Sequence, residues 1–275
     1  MPVRIVQSQQ NERVKQLRRA LTRPERDQVG IEGPHLVAEA VRAGLKIHCA
    51  FVAEGSERLL QETGLLPETD TLVVPRSLLA SALATETPQM VAALVAPRAW
   101  AWTDLLQPAG GQSPLLVVLA GLQDPGNLGT IIRSAEAFGA TGVVSLPGTA
   151  SEWNPKAVRA SAGSVFRVPM IAANADEAFS RLHAAGVRAL TAAADAATPA
   201  QNAEFSAPTA LLIGNEGNGV PANIAAQADG AIAIPCPGPV ESLNAAVAAS
   251  VLLYEAARQR SSAGTKPQTR SRGAR

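Results

Sequence analysis

Residues 115–120 (LLVVLA) are apolar without a break, and no other stretch limits the fold as strongly. A strand with one wet face alternates polar and apolar side chains. An unbroken apolar run needs both faces covered, as in a parallel sheet with helices on either side. The C-terminal half repeats this arrangement. Residues 142–146, 168–171, 187–192, 210–213 and 231–234 read as strands, and residues 128–138, 155–161, 177–185 and 242–259 as helices, with Ser242 the expected N-cap of the last. Strands alternating with helices predict an α/β fold with a parallel sheet.

The N-terminal part carries a smaller version of the pattern. Val14, Leu17 and Leu21 fall at helical spacing within residues 11–22, and Pro34 opens a second helix to residue 43. Strands are expected at residues 47–53, 71–74 and 90–95, with helices at 56–62 and 76–84. Residues 98–113 (RAWAWTDLLQPAGGQS) break the rhythm and read as a linker, with Trp100 and Trp102 covering a domain edge. The expected organisation is a small α/β domain at 1–97, a linker at 98–113, a parallel-sheet domain at 114–260 and a disordered basic tail at 261–275.

Charge does not distribute with the fold. The whole chain has a formal net charge of +1, which by itself argues against a polyanionic partner. Residues 1–26, however, hold seven Lys/Arg against two acids, and residues 256–275 hold six basic residues and no acid. Two basic ends on an acidic body fit electrostatic contact with a polyanion. The two cysteines, Cys49 and Cys236, are far apart, so neither a disulfide scaffold nor a CxxC zinc cluster is expected, and a reducing cytoplasm suits them. The N-terminus turns polar at once and has no secretory pattern, and no run approaches the roughly 20 apolar residues of a membrane span. No metal ligand set stands out.

Three loops follow apolar strands and are crowded with Gly, Pro, Asn and charge: Asp124-Pro-Gly-Asn-Leu-Gly129, Gly214-Asn-Glu-Gly-Asn-Gly219 and Pro235-Cys-Pro-Gly-Pro-Val-Glu-Ser242. Ligands of open parallel sheets bind beyond the carboxyl ends of the strands. The chain has no GxxxxGK[ST], no GxGxxG after its first strand and no GxSxG, which argues against a P-loop enzyme, a dinucleotide-dependent oxidoreductase and a serine hydrolase.

Taken in order, Asn127-x-Gly129-x-x-x-Arg133 ending in Phe138-Gly139, then LLIGNEGNGV at 211–220, then IPCPGPVESLNAAVAASVLLYE at 234–255, resemble the three signature motifs of the SpoU/TrmH family of RNA ribose 2′-O-methyltransferases, in the SPOUT superfamily. Asn154-Pro-Lys-Ala-Val-Arg-Ala-Ser-Ala-Gly163 is similar to the family's intermediate segment. Asn11-Glu-Arg-Val-Lys-Gln-Leu17 and residues 31–40 resemble the N-terminal RNA-binding domain that many members carry.

The resemblance implies a parallel-sheet SPOUT domain with a C-terminal trefoil knot, preceded by a small α/β RNA-binding domain. It implies S-adenosylmethionine as cofactor, held by Gly214, Ile234 and Leu243. The catalytic set it implies is Arg133, Asn127, Glu216, Ser242 and Asn244. Arg133 would fix a phosphate and stabilise the developing alkoxide, and Asn127 would cap its helix. A purely structural reading pairs Arg133 with Glu136 on the helix surface. Arg13, Lys15, Arg18, Lys156 and Arg159 are the expected RNA contacts. The resemblance also implies a homodimer joined through the last helix, by a face of Val247, Val251, Leu252 and Tyr254. Ribosomal RNA is favoured over tRNA, the alternatives being a tRNA 2′-O-methyltransferase and a non-catalytic RNA-binding or ribosome-assembly protein of the same fold.

Overall fold

A computed structural model describes residues 3–24, 27–83, 85, 87–107, 112–240 and 242–264. The N-terminal elements are β1 (Val3–Ile5), α1 (Glu12–Thr22), β2 (Val29–Glu32), α2 (Pro34–Arg42), β3 (Ile47–Ala53), a 3-10 turn at Glu57–Glu62, β4 (Thr71–Val74), α3 (Arg76–Ala82) and β5 (Val91–Val95). They are followed by α4 (Trp102–Leu106), β6 (Leu115–Ala120), α5 (Pro125–Ala137), β7 (Gly142–Ser145), α6 (Pro155–Ser161), a 3-10 turn at Ser164–Phe166 and β8 (Met170–Ala172). The chain closes with α7 (Ala175–Ala184), β9 (Arg188–Ala192), β10 (Thr198–Pro199), a 3-10 turn at Ala200–Asn202, β11 (Thr209–Gly214), α8 (Ala222–Ala225), β12 (Gly230–Ala233) and α9 (Ala245–Gly264).

The chain forms two compact units. The first comprises Met1–Ala101 together with Leu122–Glu136 and Thr149–Pro169, so it includes α6 and all but the last residue of α5. Its sheet runs β1-β4-β3-β5-β2, parallel across β1, β4 and β3 and antiparallel at β5. Alternation along β3 sends Cys49, Phe51 and Ala53 to one face. There they pack with Val14, Leu17 and Leu21 of α1 and Leu78 and Leu79 of α3.

The second unit comprises Trp102–Gly121, Ala137–Gly148 and the chain from Met170. Its seven strands are all parallel, in the order β10-β12-β9-β11-β6-β7-β8. Strands β6 and β11 are buried along their whole length, as the unbroken apolar runs require. Leu116, Val118, Val144 and Leu212 meet Phe179 and Leu182 of α7 in one core.

Several expectations change. β1 and β10 have three and two residues, too short for periodicity to reveal. Residues 57–62 wind as 3-10 rather than α. Within the expected linker, α4 buries Leu105 completely, and Thr141 Oγ1 donates to the Leu105 carbonyl at 2.8 Å. Pro108 and the Gly110-Gly111 pair lie outside the described residues.

α5 starts three residues earlier than its apolar pattern implies, because Asp124 caps it. Asp124 Oδ1 accepts from Gly126 N at 2.5 Å and Asn127 N at 3.1 Å. Asn127 is therefore inside the helix and not its cap. α9 starts three residues later than expected. Asn244, not Ser242, is its cap, accepting from Ala246 N at 2.9 Å and Val247 N at 3.3 Å. An asparagine that looks unfavourable inside a helix is thus the residue that starts one. On α9, Val247, Val251 and Tyr254 are exposed, whereas Leu252 is wholly buried and leaves the expected apolar outer face. Of the expected tail, residues 265–275 lie outside the described residues.

Candidate functional site

Strand β11 ends at Gly214 with its side buried against the following turn. A Cβ on Gly214 would come within 1.9 Å of Gly219 C and 2.1 Å of Val220 N. Only glycine allows the chain to fold back this closely. The turn is closed by two backbone hydrogen bonds of 2.9 Å between Asn215 and Gly219. Asn215 then works in two directions. Its Oδ1 accepts from Gly217 N at 2.8 Å, and its Nδ2 donates to the Gly121 carbonyl at the end of β6 at 3.0 Å. The GNEGNG loop is a pinned hairpin.

Beside it, a cavity of about 590 Å³ opens at the carboxyl ends of β9, β11 and β12. These three strands are neighbours in the sheet, and ligands of parallel sheets bind at this edge. Of the sequence-predicted residues, Gly214, Glu216, Ile234, Ser242 and Leu243 line this cavity. The structure thus brings the second and third motifs together although they are separated in the chain. Residues 191–195, the last two residues of β9 and the three that follow, line it as well. Sequence reading missed them, because Thr-Ala-Ala-Ala-Asp carries no motif. The one signal was that they follow a strand in the same series.

The lining has a definite chemistry. Its charged side chains are Asp195 and Glu216, and it contains no Lys or Arg among the described residues. A polyphosphate would meet no cation here, whereas a nucleoside bearing positive charge meets two carboxylates. Thr191 is 5% exposed, and its Oγ1 is buried with no hydrogen-bond partner among the described residues. A buried hydroxyl left unpaired costs stability, so it is suited to a bound polar group. The volume suits a nucleoside-sized molecule.

The first motif lies in the first unit, on α5. Arg133 is exposed there, and no hydrogen bond or ion pair to it occurs among the described residues. The expected pairing with Glu136 is not made, because Glu136 is bound by Arg167. Gly129 is needed where α5 passes α6. A Cβ would stand 2.3 Å from the Ala157 carbonyl oxygen and 2.7 Å from Ala160 Cβ. Asp124 also takes Lys156, whose Nζ sits 2.9 Å from Oδ2, and this contact with the helix amides holds the carboxyl below its usual range.

The expected RNA contacts differ in how free they are. Arg13 donates to Gln16 Oε1 at 3.1 Å and Lys15 pairs with Glu12 at 3.0 Å, both along α1. Arg18 is exposed and reaches Ser81 Oγ at 3.4 Å, and Arg159 is exposed on α6. Arg260, counted with the basic C-terminal end, is instead a staple. Its guanidinium donates to the carbonyls of Phe205 at 2.8 Å, Pro114 at 2.9 Å and Ala207 at 3.0 Å.

A parallel α/β unit with a ligand cavity at its strand ends, in a chain with motifs in this order, defines a class of transferases. The chain belongs to the SpoU rRNA methylase family, whose model matches residues 114–254, and an MRM3-like substrate binding domain matches residues 11–93. It is 33% identical to the 23S rRNA (guanosine(2553)-2'-O)-methyltransferase RlmP of Bacillus subtilis (strain 168), over 90% of this chain and 97% of that protein. The crystal structure of the SpoU methyltransferase AviRb from Streptomyces viridochromogenes, in complex with the cofactor AdoMet, is similar with a TM-score of 0.82 at 30% identity, covering 92% of this chain and 99% of that one. The AdoMet-bound rRNA methyltransferase from Sinorhizobium meliloti is similar with a TM-score of 0.80 at 31% identity, covering 94% and 98%.

Proposed function

We propose that this protein transfers a methyl group from S-adenosylmethionine to a ribose 2′-hydroxyl of RNA, and that the RNA is ribosomal. The observation that carries the reading is the cavity at the ends of β9, β11 and β12, with an acidic lining, an unpaired buried Thr191 hydroxyl and a hairpin pinned at Gly214. Similarity to AdoMet-bound rRNA methyltransferases supports the cofactor, and similarity to RlmP over nearly its whole length supports ribosomal RNA.

When bound, S-adenosylmethionine supplies an electrophilic methyl group on a sulfonium. The chain's own residues then divide the work. Gly214, Ile234 and Leu243 would hold the adenosine part, Ile234 and Leu243 offering it apolar surface. Thr191 Oγ1 satisfies its hydrogen bonding with a polar group of the ligand. Glu216 and Ser242 line the same space. Arg133 fixes an RNA phosphate and stabilises the negative charge that grows on the 2′-oxygen, which a guanidinium does well and proton abstraction it does poorly. Asn127 stands in the first turn of the helix that carries it, which Asp124 caps, and Asn244 sets the start of α9. The 2′-hydroxyl is the reacting group and also what separates RNA from DNA.

Residues 1–97 choose the RNA, with Arg13, Lys15 and Arg18 on its phosphates, Lys156 and Arg159 add phosphate contacts from α6, and residues 114–260 methylate. Two copies of the chain work together through the exposed Val247, Val251 and Tyr254 of α9. The C-terminal segment is threaded as a trefoil knot, and the protein works in the cytoplasm. Among the described residues no helix is long and apolar enough to cross a membrane.

The test is a map of 2′-O-methyl positions in ribosomal RNA with and without the gene. One position should lose its methyl group in the deletion and regain it when the purified protein and S-adenosylmethionine are added. An unchanged rRNA map, with a lost methyl in tRNA, would replace the substrate proposed here. A second expectation concerns α1. Changing Arg13, Lys15 and Arg18 together to Gln should raise KM for RNA about tenfold at physiological salt and lower the salt dependence by up to about three counterions, with kcat little changed. Filter binding across a salt series measures both.

A further inference from the structure

Arg133 owes its freedom to an arrangement one helical turn away. Glu136 lies three residues along α5, a spacing at which helix side chains are neighbours. Both of its oxygens are nevertheless committed elsewhere. Arg167 Nε donates to Glu136 Oε1 at 2.5 Å and Arg167 Nη2 to Oε2 at 3.0 Å, a two-pronged pair. The third nitrogen, Nη1, donates to Glu39 Oε2 at 2.6 Å. Glu39 Oε1 in turn is taken by Arg42. Two acids and two arginines therefore form a closed, neutral cluster, with the Glu39 side chain only 10% exposed. Arg167 comes from the end of the 3-10 turn at Ser164–Phe166, 31 residues from Glu136 in the chain. Its guanidinium holds the Glu136 carboxyl below the usual carboxylate range.

We propose that Arg167 is a positioning residue: it holds the Glu136 carboxylate in a two-pronged ion pair and so prevents Glu136 from neutralising Arg133. The proposal rests on the reading of Arg133 as the residue that meets RNA. Without Arg167, an unheld carboxylate would stand beside Arg133. It would pair with the guanidinium in the free protein, and it would repel the incoming phosphate and the growing alkoxide. Both effects act on the same step, and both require only that Glu136 be negative and unheld. Arg167 therefore contributes through charge management, not through contact with RNA.

The experiment compares Arg167→Met, Glu136→Gln, the double variant and Arg133→Ala for kcat and KM on ribosomal RNA, with S-adenosylhomocysteine affinity and thermal midpoint alongside. Arg167→Met should lower kcat about tenfold or more, and Glu136→Gln alone should stay within about threefold of the parent protein. The double variant, lacking the unheld charge, should recover to within about threefold of the parent. A clamp that merely stiffens the fold predicts the opposite, because the double variant lacks the fork as fully as the single one does. Failure of the double variant to recover overturns the proposal, as does an unimpaired Arg167→Met or an impaired Glu136→Gln. If Arg167→Met does not fold, Arg167→Gln with and without Glu136→Gln makes the same comparison, since glutamine keeps a polar side chain and removes the charge that holds Glu136. Full activity in Arg133→Ala would sink the reading of Arg133 itself, while an inactive Arg133→Ala with no recovery in the double variant sinks only the role of Arg167.

Discussion

Arg133→Ala should lower methyl transfer to RNA by about a thousandfold or more while leaving S-adenosylhomocysteine affinity within about threefold. The two readouts separate because Arg133 belongs to the first unit and the cavity lining to the second. Arg133 is exposed on α5 and makes no hydrogen bond or ion pair among the described residues, so its removal breaks no internal contact. The helix around it is fixed by other means: the Asp124 cap at its start and the Gly129 crossing with α6. Arg133→Lys should retain part of the activity, since charge remains but the planar fork does not. Single-turnover transfer of labelled methyl measures the first quantity and isothermal titration the second. An active Arg133→Ala would remove this residue from the chemistry.

The second large effect is at Gly214. Gly214→Ala should weaken S-adenosylhomocysteine binding by about a hundredfold or more, and with it all methyl transfer. The added Cβ would meet Gly219 C and Val220 N, which are backbone atoms and have no rotamer to yield. The hairpin must open, which breaks the paired hydrogen bonds between Asn215 and Gly219 and moves a wall of the cavity. Gly217→Ala is the matched control. There the nearest atom to a new Cβ is Asn215 Oδ1 at 3.5 Å, an ordinary contact, so binding should change by no more than about threefold. Equal behaviour of the two variants in calorimetry would show that the close approach at Gly214 does not shape the cavity.

Much of this site was legible in the chain. The second and third motifs carried Gly214, Glu216, Ile234, Ser242 and Leu243 to one cavity, because each follows a strand of a parallel sheet and all such strands end on one side. The helix starts were misjudged for a common reason. Apolar periodicity begins at the first buried residue, whereas a helix begins at its cap. The Asp-Pro step at 124–125 announces the start of α5, since proline suits the first turn and the preceding aspartate accepts the free amides. At α9 Ser242 and Asn244 stand two residues apart, and which side chain turns back to the amides is a matter of backbone direction.

Charge was the least legible property. By formal charge Arg133, Lys156, Arg167 and Arg260 are alike. The structure separates them: Lys156 holds Asp124, Arg167 holds Glu136 and Glu39, Arg260 staples four carbonyls, and Arg133 alone of these four is without a partner among the described residues.

The amino-acid sequence by itself determined the elements and their class, through unbroken apolar runs, helical spacing and glycine-rich loops, all of which act over a few residues. Only the tertiary structure decided which of those elements become neighbours. The sheet order β12-β9-β11-β6 is not the chain order, so Thr191 meets the second and third motifs, and Glu39 meets Arg167 across 128 residues. Partners that far apart leave no local pattern, since the energy of an ion pair or a cavity wall depends on distance in space and not along the chain.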